Sequence, residues 1–289
     1  LVSYNPTTDL LSSLTTVESG GANKRFDIEA VRNPSGSRVI VIYHEVDVAA
    51  NDVLIKRYNA AGAQQGATLT IAAVASTVNS NPAIEADETD NTINSVIRDS
   101  DGLGATSLRT HDFANALLDG PTTVTDGTHH ALARLPERSG WNEHVAVVGT
   151  DAGTGDVTAE WFDIDAHTIT ATRVIGNATQ VTDVIPASAT GQPSGIVFGG
   201  FVEGSGDDST NALWYLSTSM AHMATRDLRI SAEFPSISLE RLGLSLDTST
   251  GRLAWASLYK TSIAGQTKTS PVFTESFSIP PLALNSTAR

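Results

Sequence analysis

Two kinds of chemistry-bearing residue recur along the chain. The first is a set of carboxylates, Asp27, Glu29, Glu85, Asp87, Asp183 and Glu240, each in a short strand-like stretch. Paired acids whose pKa values are driven apart can hydrolyse a glycosidic bond, one as acid and one as nucleophile or base. A chain with 32 acidic and 18 basic residues will also carry acids in its strands without any such purpose. The second is a set of acidic, glycine-bearing loops. RDSDGLG (98–104) places Asp99 and Asp101 beside the tight backbone at Gly102, like the start of a calcium loop, since calcium takes several oxygen ligands from a sharply turning chain. The twelfth position from Asp99 is Thr110, so the bidentate Glu of an EF-hand is missing, and a solvated Asp-Gly turn is the competing reading. Asp99 and Asp101 are thus the metal candidates, and calcium is the one cofactor the sequence suggests.

EVDVAAND (45–52), TDAGTGD (150–156) and VEGSGDDSTN (202–211) are comparable loops, which makes Asp151, Asp156, Asp207 and Asp208 candidates for ligand binding. Trp141, in SGWNEH, is an expected exposed aromatic able to stack on a pyranose ring. A fifth loop, KTSIAGQTK (260–268), has two lysines and no acid. Trp161, Trp214 and Trp255 lie in or beside strong strands and read as core. His129 and His130 are adjacent, so in a strand they point to opposite faces and ligate one metal only awkwardly. His111–Asp112 and the scattered serines form a triad only if a geometry is assumed for them, and no catalytic residue is assigned. Asn177-Ala-Thr and Asn285-Ser-Thr fit the glycosylation pattern, which matters only in a eukaryotic secretory route.

The elements that hold these residues are strands. RVIVIY (38–43), HVAVV (144–148), GIVFGGFV (195–202) and LAWASLY (253–259) are almost continuously apolar, as expected of strands covered on both faces. Clusters of Gly, Asp, Asn, Ser and Pro separate them. One short helix is expected over Ser219–Asp227 (SMAHMATRD). Hydrophobic content of 40% supplies a core, whereas a net charge of −14 repels phosphate backbones and anionic membranes, so neither nucleic acid nor membrane insertion is expected. With no cysteine there is no disulfide, thiolate metal site or cysteine nucleophile. The chain begins at Leu1 without a signal peptide, as expected of a processed chain or a piece of something longer.

The strands repeat. Short closing strands end at Ile71, Val124, Ile175 and Ile230, in steps of 53, 51 and 55 residues, and one step of 54 back from Ile71 reaches Val17. Aromatics Tyr58, Phe113 and Phe162 mark the preceding strand, and Ile28, Ile84, Leu132, Val184 and Ile237 mark the openings. Four strands in about 50 residues is the unit of a β-propeller blade. The expected fold is therefore all-β, a single domain over 1–289 with five four-stranded blades at about 26–72, 82–125, 130–176, 183–231 and 235–279. The N-terminal strand, 10–17, is expected to pair with the fifth blade and close the ring. A β-sandwich, a pair of sandwiches, a prism or a solenoid would also give regularly spaced strands.

The stretch RVIVIYHEVDVAANDVLIKRYNAAGAQQGATLTI (38–71) resembles the repeats of large secreted bacterial proteins, the RTX-type adhesins exported by type I secretion. Asp52, Val53, Arg57, Tyr58, Asn59, Gly62 and Gly66 carry the resemblance, which covers this unit well and the others in outline: Phe113–Gly120 lacks the first glycine and Phe162–Thr170 lacks both. It implies a surface or adhesive setting and brings no catalytic residues. The expected function is a non-catalytic binding or structural module, extracellular, on a cell surface or on a virion. Its expected partners are a glycan or other surface or virion proteins, with carbohydrate favoured by a polar, weakly charged surface. The alternatives are a virion decoration or fibre-associated protein, and a glycoside hydrolase or lyase using channel carboxylates.

Overall fold

The computed structural model describes residues 4–5, 8, 10–11, 15–17, 25–33, 36–46, 51–59, 61–73, 82–87, 91–98, 106–125, 127–135, 144–151, 153–177, 180–187, 195–202, 210–229, 237–247, 252–263 and 266–278. The chain forms two compact units, Leu1–Thr128 and His129–Arg289. All regular structure among the described residues is β.

In the first unit, β1 (Tyr4–Asn5) pairs with β2 (Leu10–Leu11). A four-stranded sheet follows, β3 (Arg25–Asn33), β4 (Gly36–Val46), β5 (Asn51–Asn59) and β6 (Leu69–Ala73). The second sheet contains β7 (Ala83–Asp87), β8 (Thr92–Arg98), β9 (Thr106–Asp112) and β10 (Leu117–Thr123). Apart from the first two residues of β11, the second unit contains three sheets. They are β11 (Gly127–Arg134), β12 (His144–Asp151), β13 (Asp156–Asp163) and β14 (Thr168–Asn177); then β15 (Gln180–Ala187), β16 (Gly195–Val202), β17 (Thr210–Ser217) and β18 (His222–Arg229); then β19 (Ile237–Asp247), β20 (Arg252–Ile263) and β21 (Gln266–Ser278). In each sheet the strands lie in chain order. This antiparallel up-and-down sheet is the blade of a β-propeller, as the repeat predicted.

Apolar strands are covered on both faces. In the first unit Val53, Ile55 and Ile71 of one sheet pack with Ile84, Ile93 and Ile97 of the next. In the second, Ala131, Ala133, Ala146 and Ala159 leave room beside Trp161, Phe198 and Trp214, all buried in one cluster. Phe198 and Trp214 stack with ring centroids 5.2 Å apart. The Trp161 indole N–H, fully buried, is satisfied by the Thr218 carbonyl at 2.8 Å. Gly195 is needed for contact, because a Cβ there would run into the backbone of Leu216 and Ser217.

The turn between the third and fourth strands is the most regular feature. Asn59 N–H bonds Ala63 O and Gly62 N–H bonds Asn59 O, both at 2.9 Å, and Asn59 Oδ1 accepts from Ala61 and Ala63. In the second sheet Asp112, Asn115 and Ala116 repeat the same ring of bonds, with Asp112 Oδ1 accepting from Ala114 and Ala116. In the fourth, Ser217, Met220 and Ala221 do so, with the serine hydroxyl as cap. The third-sheet turn is one residue longer, closing from Asp163 to Thr168. Each turn requires one left-handed residue: Gly62 (φ 80°), Asn115 (78°), His167 (56°) and Met220 (61°). The glycine missing from the later repeats has therefore been replaced without loss of the conformation it serves.

Three expectations are corrected. Ser219–Asp227 is a turn followed by strand β18, not a helix, because the hairpin with β17 engages its backbone in a ladder broken only by a bulge between Tyr215 and Leu216. Leu10–Leu11 pairs with Tyr4–Asn5, and the fifth sheet has three strands among the described residues. The basic loop expected over 260–268 is mostly strand, since Ile263 pairs with Gln266 and Lys260 and Lys268 lie within β20 and β21. Finally, the turn register makes His111, not Phe113, the counterpart of Tyr58, Phe162 and Leu216, each of which directly precedes the turn.

Candidate functional site

The acids singled out on first strands lie where the repeat put them, on β3, β7, β15 and β19, the leading strands of their sheets; β11, which leads the third sheet, carries none of them. Their side chains show what three of them do. Asp27 accepts from its neighbour, Ile28 N–H, through Oδ1 at 2.9 Å and from Ile84 N–H of β7 through Oδ2 at 3.0 Å. Asp183 repeats this in the second unit, accepting from Val184 N–H at 2.9 Å and from Leu244 N–H of β19 at 2.7 Å. Each carboxylate thus joins the leading strands of two successive sheets, with each oxygen receiving a backbone N–H. The bracket also identifies Leu244, not Ile237, as the counterpart of Ile84.

Glu85 behaves differently. It is buried, and its Oε2 accepts from Asn94 Nδ2 at 2.9 Å, while Asn94 Oδ1 accepts from the Thr110 hydroxyl at 2.8 Å. This chain of polar groups crosses β7, β8 and β9 on one face of the second sheet. A carboxylate held this way has a fixed orientation and a hydrogen-bonded oxygen.

Of the candidate binding residues, the structure brings Asp151 and Asp156 together across the β12–β13 turn. Asp151 Oδ1 accepts from Gly153 N–H and Thr154 N–H, each at 2.8 Å, and from the Thr154 hydroxyl at 3.2 Å. Thr154 Oγ1 in turn accepts from Asp156 N–H at 3.2 Å, and Gly155 supplies a left-handed residue with φ 75°. The two backbone amides and the hydroxyl favour the carboxylate form and hold the Asp151 pKa below its ordinary 3.8. The loop is a self-capped acidic turn. Trp141, Asp207 and Asp208, and the metal candidates Asp99 and Asp101, lie outside the described residues. Among the described residues no three acids or histidines are grouped as a metal site.

The residues that sequence reasoning passed over are two cations, Arg109 on β9 and Arg173 on β14. Arg109 Nη1 donates to the Ile71 carbonyl of the preceding sheet, and Arg173 Nη1 to the Met220 carbonyl of the following one. Both lie in tracts without any recognisable motif, and only the register reveals their task. Trp161 and Trp214 are core, as expected.

Neither a protein-family model nor any curated protein matches the chain. Solved structures do. AofleA from Arthrobotrys oligospora aligns with a TM-score of 0.57 at 9% identity, over 93% of this chain and 77% of that one. The periplasmic gluconolactonase PpgL of Pseudomonas aeruginosa aligns with a TM-score of 0.56 at 12% identity, over 96% and 78%. The catalytic domain of an α-L-arabinofuranosidase from Coprinopsis cinerea gives 0.48 at 11% identity, over 86% and 88%. At these identities the first two likenesses establish the fold, a β-propeller, and nothing finer.

Proposed function

We propose that this chain is a non-catalytic binding module of an extracellular, cell-surface or virion protein, with neutral carbohydrate as its ligand. One observation carries the non-catalytic part: Asp27 and Asp183, two of the leading-strand acids on which a hydrolase reading would draw, each give both oxygens to backbone N–H groups. A carboxylate so engaged is a poor proton shuttle, because accepting a proton would break the bracket. The resemblance of 38–71 to adhesin repeats supports the setting, and the acidic loops with Asp151, Asp156, Asp207 and Asp208, together with Trp141, are the proposed contact region. Calcium at Asp99 and Asp101 is part of the same proposal.

A second reading, hydrolysis at a sugar ring or sugar lactone, is favoured by Glu85, a buried carboxylate oriented by the Asn94 side chain. The name of the P. aeruginosa protein that shares the fold, a gluconolactonase, points the same way. Prolonged incubation with neutral oligosaccharides and sugar lactones separates the two. The binding reading predicts no new reducing ends and no lactone opening. Turnover that disappears in Glu85→Gln would replace it with the second reading.

A further inference from the structure

We propose that His111 makes the packing of the first two sheets acid-sensitive, so that its protonation loosens the seam between β5–β6 and β7–β9. The position itself is the first support. His111 directly precedes the β9–β10 turn, where the other sheets place Tyr58, Phe162 and Leu216, all nearly inaccessible. It pairs across the ladder with Ile93, so the two side chains share a face. That face belongs to the cluster of Val53, Ile55, Ile71, Ile84, Ile93 and Ile97, against which Phe113 also packs. An imidazole therefore stands in a place that the rest of the fold fills with a hydrocarbon or phenol ring.

The second support is the lack of compensation. His111 is 5% exposed and its Nδ1 has no hydrogen-bond partner. Among the described side chains, the charged groups of the surrounding elements are few. On β9 itself Arg109 shares the His111 face and Asp112 is the next residue; β8 and β10 offer no titratable group on that face, their paired residues being Ile93 and Leu117. In the first sheet, Arg57 shares the β5 face of Val53 and Ile55 by alternation. Two guanidinium groups thus border this seam, with the Asp112 carboxylate next to His111 and the Asp27 carboxylate engaged by Ile84 N–H of β7, so a new imidazolium adds a third cation to a mainly apolar contact. Burial first, then Arg109, lowers the His111 pKa from 6.5, while Asp112 opposes them in part. The unfolded chain consequently binds the proton more readily. The stabilisation is fully present above about pH 6.5 and is lost as pH falls through the folded-state value.

The seam also has direct cross-links that would report its opening: Asp27 to Ile84 N–H, Arg109 to Ile71 O, and Asn115 Nδ2 to Ala67 O. Hydrogen exchange of the full chain, corrected for intrinsic rates, is to be followed from about pH 7.5 to about pH 5 alongside thermal melting. In the wild type the amides of residues 69–73 and 83–87 are expected to lose protection on acidification, roughly tenfold for each unit by which the folded-state pKa lies below the unfolded one. His111→Phe restores the ring found at this position in other sheets and should remove that component. His111→Gln, neutral and polar, should remove it too, which guards against misfolding of either variant. If both variants keep the wild-type acid response, or if the His111 ring protons titrate at or above 6.5 by NMR, the proposal is wrong.

Discussion

The carboxylate of Asp27 reaches from the leading strand of one sheet to the backbone N–H of Ile84 in the leading strand of the next, at 3.0 Å, and Asp183 does the same for Leu244 at 2.7 Å. These contacts join residues 57 and 61 positions apart. Two positions that look catalytic in a sequence are thereby structural: the acid serves the part-buried N–H of a strand that has no partner on that side. Replacing Asp27 or Asp183 by alanine should cost about 1–3 kcal/mol each, the range for hydrogen bonds to a charged group. Urea denaturation of each variant measures it. A change within error of zero for both would show that the bracket is incidental.

The third-to-fourth strand turns predict a sign reversal between two glycine exchanges. Gly62 sits at φ 80°, and a Cβ there would run into the Thr15 hydroxyl, so Gly62→Ala should destabilise by about 1 kcal/mol or more. His167 is exposed and holds the equivalent left-handed conformation at φ 56°, so His167→Gly should be neutral or raise the melting temperature slightly. Thermal melts of the two variants check the pair together.

Asp151 gives a pH-dependent prediction. Its carboxylate is held by Gly153 and Thr154, which keeps its folded-state pKa below 3.8. The stability this supplies is present above the unfolded value and fades as pH falls through it. Asp151→Ala should therefore be less stable than wild type at neutral pH, with the gap closing toward about pH 2. Denaturant midpoints at several pH values test this, and a gap independent of pH would rule out the carboxylate as the cause.

Much of this architecture was legible in the residues, for a physical reason. A blade repeats its packing, so the steps between closing strands placed the sheets within a few residues of their observed limits, 25–73, 83–123, 127–177, 180–229 and 237–278. What misled was the choice of marker. Phe113 looked like the aromatic of its unit, but the turn takes an oxygen-bearing cap at its first position, and Asp112 supplies it, leaving His111 in the core place. The absent glycines of the later units hid the same turn, because Asn115, His167 and Met220 adopt the left-handed conformation instead. Ser219–Asp227 read as helix because a run of Met, Ala and Arg has good helix propensity, which a hairpin ladder readily overrides. The site was less legible. Side-chain reach between sheets, as from Asp27 to Ile84 or from Arg109 to Ile71, leaves no local pattern in a sequence.

The central claim, a carbohydrate-binding module without catalysis, is tested most directly by a glycan array probed with the full chain, with and without calcium. The account predicts retention of at least one class of neutral glycan, with the bound glycan recovered intact. No binding to any glycan under either condition, or recovery of cleaved glycan, would contradict it.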